Sequence, residues 1–565
     1  FTATVNDKEG LNITDGSAIC SQTGNITLRG TNTLETSGQY SNSIRFAAAN
    51  IANSIRIGYD GTNAYSGNIS IEGNSIYQRN TNAGGGSIAV QTTGTLTIQP
   101  TGTAFTYMRA GNSGTLTYDD DWNFGTTLGG FTFGKTTNTT NITLSNPLTT
   151  DGPISIYGGN ILAQQNITST LPGADILLQA NGAINLSASR TIQTSGGDVT
   201  LNATSGGTAT SAGSAIYLYG SSQILSNGGN ITLGGGYSGT EGNLYAATNI
   251  SGGGYAVRMD ASSIINAAGG NISIYGRNVS SYGDGIYLNT VNISTIGSGT
   301  IGIYGDSHGG YNGTTYFGGV TFENNASTIQ NVNGNITLKG ILTQSQSTQG
   351  YGINFYRSSG SAGQTRHIQI LSQTGDIQIT GDRGSTTGGG IGHSSWGNIY
   401  FGSPSDNSFT ASGDVVLTYS NLVNAGSNGF KVKTTGAVTY EPVATSFIVA
   451  QTFPANSNYI LADNATSLTI GKTGNTAGVT IGSNISIAGP ISVYAGTITL
   501  NANLTSTNTT TGNINLNGTT ISGTGNMVLA DGRTAEVNVS SASTYDGIIS
   551  GSGSGLTKLG AGMLT

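Results

Sequence analysis

Cysteine is nearly missing from this sequence, since Cys20 is the only one in 565 residues. A single thiol permits no disulfide within the chain, so packing and hydrogen bonds must hold the fold together. Proline occurs only 8 times, and glycine follows no G-X-Y period, which excludes a collagen-like triple helix. Apolar runs are short, and without a run of about 18 apolar residues no segment is expected to cross a bilayer as a helix.

Charge is scarce as well. Charged residues make up 8% of the chain, against about 25% in ordinary globular proteins. The net charge is −7 and the pI is about 4.9, and no basic patch stands out. We therefore expect neither a nucleic-acid partner nor membrane insertion. The low net charge, with 35% hydrophobic residues, also argues against intrinsic disorder.

Glycine is plentiful, with 91 residues, and it opens a recurring pattern: Gly, then Asn, Asp or a small residue, then alternating apolar and polar positions. The pattern is GNITL at 24–28, 229–233 and 334–338, GNISI at 67–71 and 270–274, GTLTI at 94–98, GAINL at 182–186, GDVTL at 197–201, GDIQI at 375–379, GDVVL at 413–417, GTITL at 496–500 and GNINL at 512–516. Each copy predicts a turn followed by a short strand, whose third and fifth residues face one side.

A strand this short cannot bury its apolar face alone, but stacked copies can form a continuous core. The fold class predicted is therefore all-β, a parallel β-helix or β-solenoid with loop insertions, and an array of β-sandwiches is the alternative. The closest spacings, from Gly182 to Gly197 and from Gly496 to Gly512, suit successive turns or faces of a solenoid. Wider spacings leave room for extra strands or loops, and we expect long loops at 203–228, 234–268, 302–333 and 341–366.

A duplication supports growth by repetition. Residues 131–170 align without gaps to residues 468–507, and 18 of the 40 positions are identical. We divide the chain on this basis into an N-terminal solenoid segment (1–130), a first copy of the duplicated unit (131–202), a segment with long insertions (203–467), a second copy (468–540) and a C-terminal segment (541–565).

Residues able to do chemistry are few and scattered. Three histidines, His308, His367 and His393, do not have metal-ligand spacing. The acidic run Asp119–Asp121 could hold Ca²⁺, although a solvated turn is the favoured interpretation. Asp376, Asp382 and Arg383 form the densest polar cluster of the kind that polysaccharide lyases and hydrolases need, and a charged coil edge is favoured for them. We expect no catalytic residue, no cofactor and no metal site.

Tyrosine and asparagine are the distinctive polar residues. The 26 tyrosines suit either sugar stacking or, as we favour, a ladder of rings along the solenoid wall. They include Tyr157, Tyr217, Tyr219, Tyr275, Tyr287, Tyr304, Tyr351 and Tyr356. Asparagines of the Gly-Asn motif, such as Asn25, Asn230, Asn271 and Asn335, are expected to satisfy turns and to form ladders when copies stack.

Two resemblances emerge from these patterns. GGDVTLNATSGG and GGNITLGGG resemble the filamentous-haemagglutinin-like repeats of large bacterial surface proteins. TYDGIISGSGSGLTKLGAGMLT, residues 544–565, is similar to the autotransporter-associated β-strand repeat, TYxGxIxGxGxLTKxGxGxLTL. The matching residues are Tyr545, Gly547, Ile549, Gly551, Gly553, Leu556, Thr557, Lys558, Gly560, Gly562 and Leu564. The stretch departs by an extra Ser-Gly at 554–555, by Met563 in place of Thr, and by ending before the last Leu, so we expect further repeats to follow.

The resemblances imply a right-handed parallel β-helix secreted by a type V route to the cell surface of a Gram-negative bacterium. They imply a non-enzymatic role as an adhesin passenger, a stalk or a filament subunit. Expected partners are other copies of the chain, or the rest of the same chain at the solenoid ends, and glycans or surfaces of a host or environment. A polysaccharide-binding or polysaccharide-degrading β-helix is the alternative function.

Overall fold

The computed structural model describes residues 2–5, 9–14, 16–33, 42–47, 54–78, 88–109, 116–118, 122–211, 213–238, 244–248, 254–280, 282–308, 317–323, 326–343, 350–356, 367–383, 389–393, 397–424, 429–454 and 460–565. Within these ranges the chain is all-β, with 58 strands and no helix. Contacts divide it into unit 1 (Phe1–Asn249 and Ala256–Tyr275) and unit 2 (Ile250–Tyr255 and Gly276–Thr565).

Each coil of unit 1 supplies strands to three faces. The first face contains Thr2–Val5, Ile26–Asn32, Ile69–Glu72, Thr95–Gln99, Gly130–Phe133, Ile154–Gly158, Ile176–Ala180, Val199–Ala203 and Ile231–Gly235. The second contains Leu11–Thr14, Ile44–Ala47, Ser75–Gln78, Tyr107–Arg109, Leu116–Tyr118, Ile142–Leu144, Ile161–Ala163, Ile184–Leu186 and Ser214–Leu218. The third contains Ala18–Ile19, Ile55–Ile57, Ile88–Val90, Trp122–Phe124, Leu148–Thr150, Ile167–Pro172, Thr191–Ser195, Gln223–Leu225 and Ile264–Asn266. An antiparallel hairpin joins Tyr237–Ser238 to Leu244–Thr248, and Gly254–Met259 and Ile272–Asn278 each contain residues of both units.

Unit 2 repeats the three-face arrangement. Its first face contains Ile301–Ser307, Ile336–Leu342, Ile377–Arg383, Val415–Tyr419, Ala437–Glu441, Ser467–Ile470, Ile491–Leu500, Ile514–Ser522, Thr534–Val539 and Gly555–Leu559. The second contains Gly283–Asn289, Gly318–Glu323, Tyr351–Tyr356, Gly389–His393, Leu422–Asn424, Gln451–Phe453 and Val479–Ile481. The third contains Asn292–Ser294, Thr328–Asn331, Ile368–Ser372, Ile399–Gly402, Phe430–Lys433, Ile460–Leu461, Ile485–Ile487, Leu504–Ser506, Met527–Val528 and Ile549–Ser550.

Successive coils pair in parallel, residue over residue. In unit 1, Ile154 lies opposite Ile176 and Ile156 opposite Leu178. All four side chains are buried, whereas Ser155 between the two isoleucines is only half-buried. Because side chains alternate along a strand, every coil adds aliphatic groups to one internal core. This parallel stacking confirms the predicted parallel β-solenoid and excludes the alternative of antiparallel sandwiches.

The glycine-opened repeats begin strands of two faces. Ten of the twelve begin first-face strands, whereas those at 182–186 and 496–500 lead into second-face positions. The two closest spacings, from Gly182 and from Gly496 to the next repeat, therefore run from the second face of one coil to the first face of the next. A complete coil in this part of the chain runs from Ile154 to Ile176, which lie opposite each other on the first face.

The stretches predicted to be long loops contain strands. Residues 203–228, for example, include Ser214–Leu218 and Gln223–Leu225, which pair with the preceding coil. The prediction was wrong because the extra residues enlarge the corners between strands without interrupting the stack. Residues 239–243, 249–253, 309–316, 324–325, 344–349 and 357–366, within the other predicted loops, lie outside the described ranges.

The duplication seen in the sequence is also present in the structure. Strands of residues 130–170 recur 337 positions later, such as Gly130–Phe133 as Ser467–Ile470 and Leu148–Thr150 as Ile485–Ile487. A buried corner asparagine recurs with its bonds: Asn138 Nδ2 donates to Tyr157 O at 2.8 Å, and Asn475 Nδ2 donates to Tyr494 O at 2.8 Å.

The structural repeat also extends further back than the sequence alignment indicates. Phe105 N donates to Asn138 Oδ1 at 3.2 Å, and Phe447 N donates to Asn475 Oδ1 at the same distance. Likewise, Lys135 Nζ bonds Pro100 O and Lys472 Nζ bonds Pro442 O. The repeated structure thus includes the coil that precedes each aligned block.

Glycines let two faces cross closely in unit 2. A Cβ placed on Gly305, Gly340 or Gly381 would lie 1.9, 2.0 or 2.3 Å from the carbonyl oxygen of Gly319, Gly352 or Gly390, respectively. Only residues without a side chain allow the two backbones to approach this closely. The crossing recurs in successive coils and continues the first-face strands as far as Ser307, Leu342 and Arg383.

Candidate functional sites

The Gly-Asn and Gly-Asp motifs form ladders between coils. In unit 1, Asn68 N donates to Asn25 Oδ1 at 3.0 Å, and Asn230 N donates to Asp198 Oδ1 at 2.7 Å. Bonds of this kind join Asn25, Asn68 and Thr95, then Asp175, Asp198, Asn230 and Asn271, and in unit 2 Asn335, Asp376, Asp414 and Ala437, as well as Asn513 and Thr534. Each rung needs only a side-chain oxygen, which explains why Asn and Asp alternate at these positions.

The predicted polar cluster does not form a shared site. Asp376 accepts a hydrogen bond from Asp414 N at 2.9 Å, as a rung of the ladder. Arg383 is 1% exposed, and its Nη1 donates to Gly350 O at 2.9 Å. Burial raises the pKa of Asp382, and Lys339 partly offsets this effect. Asp376 and Arg383 therefore have structural partners, and Arg383 is buried and does not lie at an exposed coil edge.

The three histidines lie in different surroundings. His393 is 1% exposed and packs against Phe430 at 5.7 Å between ring centroids. His367 packs edge-on against Tyr400, and its pKa is lowered by burial and by the charge of Lys431. Within the described ranges, no group of three or more His, Cys, Asp or Glu could hold a metal ion. Asp119–Asp121, the predicted calcium candidate, lies outside those ranges.

One ionic cluster in unit 2 was missed by sequence reasoning. His308 Nε2 lies 2.9 Å from Arg277 Nη2, and Arg277 Nε lies 3.3 Å from Asp306 Oδ2. The carboxylate of Asp306 is fully buried, and its contact with Arg277 lacks hydrogen-bond alignment. Burial raises the pKa of Asp306, and Arg277 and His308 oppose the rise. Since the members come from neighbouring strands, no local motif could have revealed them.

A buried carboxyl of unit 2 has neutral partners. Asp284 is 2% exposed and accepts hydrogen bonds from Gly318 N at 2.6 Å and Thr321 Oγ1 at 2.5 Å. Burial raises its pKa to about 7, which the two hydrogen bonds oppose and the charge of Glu323 reinforces. Such a carboxyl titrates near neutral pH.

Tyrosines pair along the outer wall. In unit 1 the rings of Tyr217 and Tyr219 stack with centroids 3.6 Å apart, and Arg258 covers Tyr217 at 4.6 Å. Asp260 binds Arg258 Nε at 2.9 Å and accepts a hydrogen bond from the Tyr217 hydroxyl. Burial raises the pKa of Tyr217, and the bond to Asp260 raises it further. Tyr217 lies in Ser214–Leu218 and Tyr219 directly follows this strand, so their stacking joins rings within one coil, and a ladder of rings between coils stays a prediction.

Unit 2 contains a cleft of about 420 Å³ beside a break in its third face. Ile460–Leu461 pairs with the preceding coil, whereas Ile485–Ile487 begins a separate sheet. The cleft between them is lined by Tyr440, Phe453, Pro454, Leu461, Asp463, Asn484, Ile485, Ser486, Asn503 and Thr505. It combines an apolar floor with amide, hydroxyl and carboxylate groups.

Comparison with known proteins assigns no family to this chain. Within the described ranges, no helix is long and apolar enough to cross a membrane. No protein-family model, curated protein or solved structure matches the chain.

Proposed function

We propose that this chain is a non-enzymatic structural and adhesive β-solenoid, exported to the surface of a Gram-negative bacterium. It serves there as part of an adhesin passenger, a stalk or a filament. One observation carries the proposal: the chain's recurring polar residues join one coil to the next. Asp198 and Asp376, which could serve as acids or bases elsewhere, here accept backbone N–H bonds from the following coil.

We propose that the partners of this solenoid are other copies of the chain or the rest of the same chain. Strand edges carry unpaired N–H and C=O groups, which favour the stacking of a further coil.

The test is immunogold labelling of intact cells with antibodies against unit 2, with and without protease shaving. The proposal predicts surface label that shaving removes, and fibres or rods in material gently detached from the cells. Label that appears only after the cells are permeabilised would contradict it.

A further inference from the structure

We propose that each copy of the duplicated block contains a hinge, at which two successive coils open on the side opposite the first face. The hinge of the second copy is the looser of the two. Such a hinge goes beyond the proposed structural role, because it gives one place in each unit a motion of its own.

The pairing of the third face stops and restarts at equivalent places in the two copies. Among the described strands of unit 1, Trp122–Phe124 pairs only with the coil before it, and Leu148–Thr150 pairs only with the coil after it. In unit 2, Ile460–Leu461 ends one sheet and Ile485–Ile487 begins another in the same way. Because the gap recurs, it belongs to the backbone arrangement of the block and not to one set of side chains.

The first face continues past both gaps. Thr95–Gln99 pairs with Gly130–Phe133 in unit 1, and Ala437–Glu441 pairs with Ser467–Ile470 in unit 2. The second face is also paired here, but by short ladders, such as the one of three residues that Gln451–Phe453 forms with the next coil. In the described part of each unit, the two coils are therefore held most weakly at the corner between the second and third faces.

Hydrogen bonds at both ends of the first face hold that face in place. Phe105 N donates to Asn138 Oδ1 at 3.2 Å, at the corner that leads to the second face. Gly152 N donates to Leu128 O at 3.0 Å, at the corner that comes from the third face. The equivalent bonds in unit 2 join Phe447 to Asn475 and Gly489 to Ala465. These bonds make the first face the axis about which the two coils can rotate.

Aromatic rings fill the space beside the gap in the first copy. Phe124 packs against Trp122 and Phe131, with ring centroids 5.5 and 5.1 Å away. All three side chains are buried, and so is Leu148 on the far side of the gap. Opening this gap would separate rings that are in contact, so the hinge of the first copy should be stiff.

The second copy has smaller residues beside its gap. Leu461 replaces Phe124, and Leu468 replaces Phe131. A cleft of about 420 Å³ lies beside this gap, and its lining includes Leu461 from one side and Ile485 from the other. Fewer contacts across the gap mean that less dispersion energy opposes its opening. The hinge of unit 2 should therefore open more often than the hinge of unit 1.

A hinge of this kind lets two coils separate on one side while their first-face ladder stays intact. Local opening costs less free energy than global unfolding wherever few hydrogen bonds and little apolar surface are involved. Each unit can then bend at one defined place while the rest of its coils remain paired.

The test uses single cysteines at buried third-face positions of the full chain, with Cys20→Ser to remove the native thiol. Ile485→Cys lies beside the gap of unit 2. Leu504→Cys, opposite Ile485 in the next coil, is the matched control inside a continuous ladder, and the two native side chains are 4% and 0% exposed. The reagent is a bulky maleimide, too large for the closed cleft. We expect it to modify Ile485→Cys at least tenfold faster than Leu504→Cys under native conditions.

The two copies provide a second comparison. Leu148→Cys, at the position equivalent to Ile485, should react more slowly than Ile485→Cys because rings fill the gap of the first copy. Leu461→Phe should slow the reaction of Ile485→Cys at least threefold, and Phe124→Leu should speed that of Leu148→Cys. If Leu461→Phe fails to fold, Phe124→Leu carries the same comparison in the other direction.

Equal rates for Ile485→Cys and Leu504→Cys would overturn the hinge. A rate for Leu148→Cys that equals or exceeds that of Ile485→Cys would overturn the difference between the copies. Circular dichroism and thermal melting establish that each variant is folded before its rate is measured. Location at the cell surface is measured separately, so failure of the hinge is distinguishable from failure of the proposed function.

Discussion

At the scale of single residues, the defining feature is a side-chain oxygen that bonds the backbone of the next coil. Asp198 shows the geometry fully, because its Oδ1 accepts from both N and Nδ2 of Asn230, at 2.7 and 3.2 Å. The bond is exposed, so we expect it to contribute modestly to the free energy of unfolding. Because such bonds recur from coil to coil, their contributions add up.

We predict that Asp198→Ala lowers the free energy of unfolding by about 1 kcal/mol, the usual net value of one hydrogen bond. Asp198→Asn keeps an oxygen at the same place and should change the free energy of unfolding by less than about 0.5 kcal/mol. Urea denaturation of both variants checks the difference. Equal losses would show that the negative charge, and not the hydrogen bond, matters at this rung.

Asp284 predicts a dependence of stability on pH. Its pKa is about 7 in the fold and about 3.9 in an unfolded chain, so the folded state holds the proton more tightly. Its contribution is therefore fully present below pH 4 and is lost as the pH rises through 7, by about 4 kcal/mol in total. Denaturation at pH 5 and pH 8 should show unit 2 losing stability, and Asp284→Asn should flatten the profile. A wild-type profile as flat as that of Asp284→Asn would refute the assignment.

At the scale of elements, the strands could be predicted from the sequence and their connections could not. Alternation in motifs such as GNITL identified first-face strands correctly because burial follows a period of two along a strand. Third-face strands such as Gln223–Leu225 are three residues long, too short for any period to show. The cleft was likewise hidden, since Leu461 and Asn484 meet only after the coils stack.

The close approach of glycine backbones in unit 2 leaves the least room for a side chain. We predict that Gly340→Ala costs about 3 kcal/mol, because the new methyl group would lie 2.0 Å from the backbone oxygen of Gly352 and overpacking of this kind forces the backbone apart. Gly213→Ala, which meets no atom within 4 Å, is the control. Thermal melts of both variants check the contrast, and similar melting temperatures would mean that the crossing is loose.

The duplicated corner offers a paired test. Asn138 and Asn475 are 1% and 6% exposed and bond equivalent backbone groups. We predict that Asn138→Ala and Asn475→Ala each cost about 2–3 kcal/mol, since each leaves a buried carbonyl and amide unpaired. Denaturation of each variant measures the two costs, and clearly unequal values would show that the two corners are not energetically equivalent.

At the scale of the whole molecule, parallel strands, aliphatic stacks and oxygen ladders hold the coils of each unit to their neighbours. In a stack of this kind, the free energy of unfolding is close to the sum of the intrinsic stability of each coil and the interaction energy of each pair of neighbouring coils. Force applied along the chain should therefore remove coils a few at a time. A surface stalk or filament must resist mechanical force, and a stack that loses only a few coils at a time does so.

The most direct test of the central claim is single-molecule force spectroscopy on the chain, held at its two ends. One coil runs from Ile154 to Ile176, and unravelling it would release about 75 Å of extended chain. We predict a series of force peaks whose contour-length steps are small multiples of one coil. Extension without measurable resistance, or one step that releases a whole unit at low force, would contradict a solenoid that bears mechanical load.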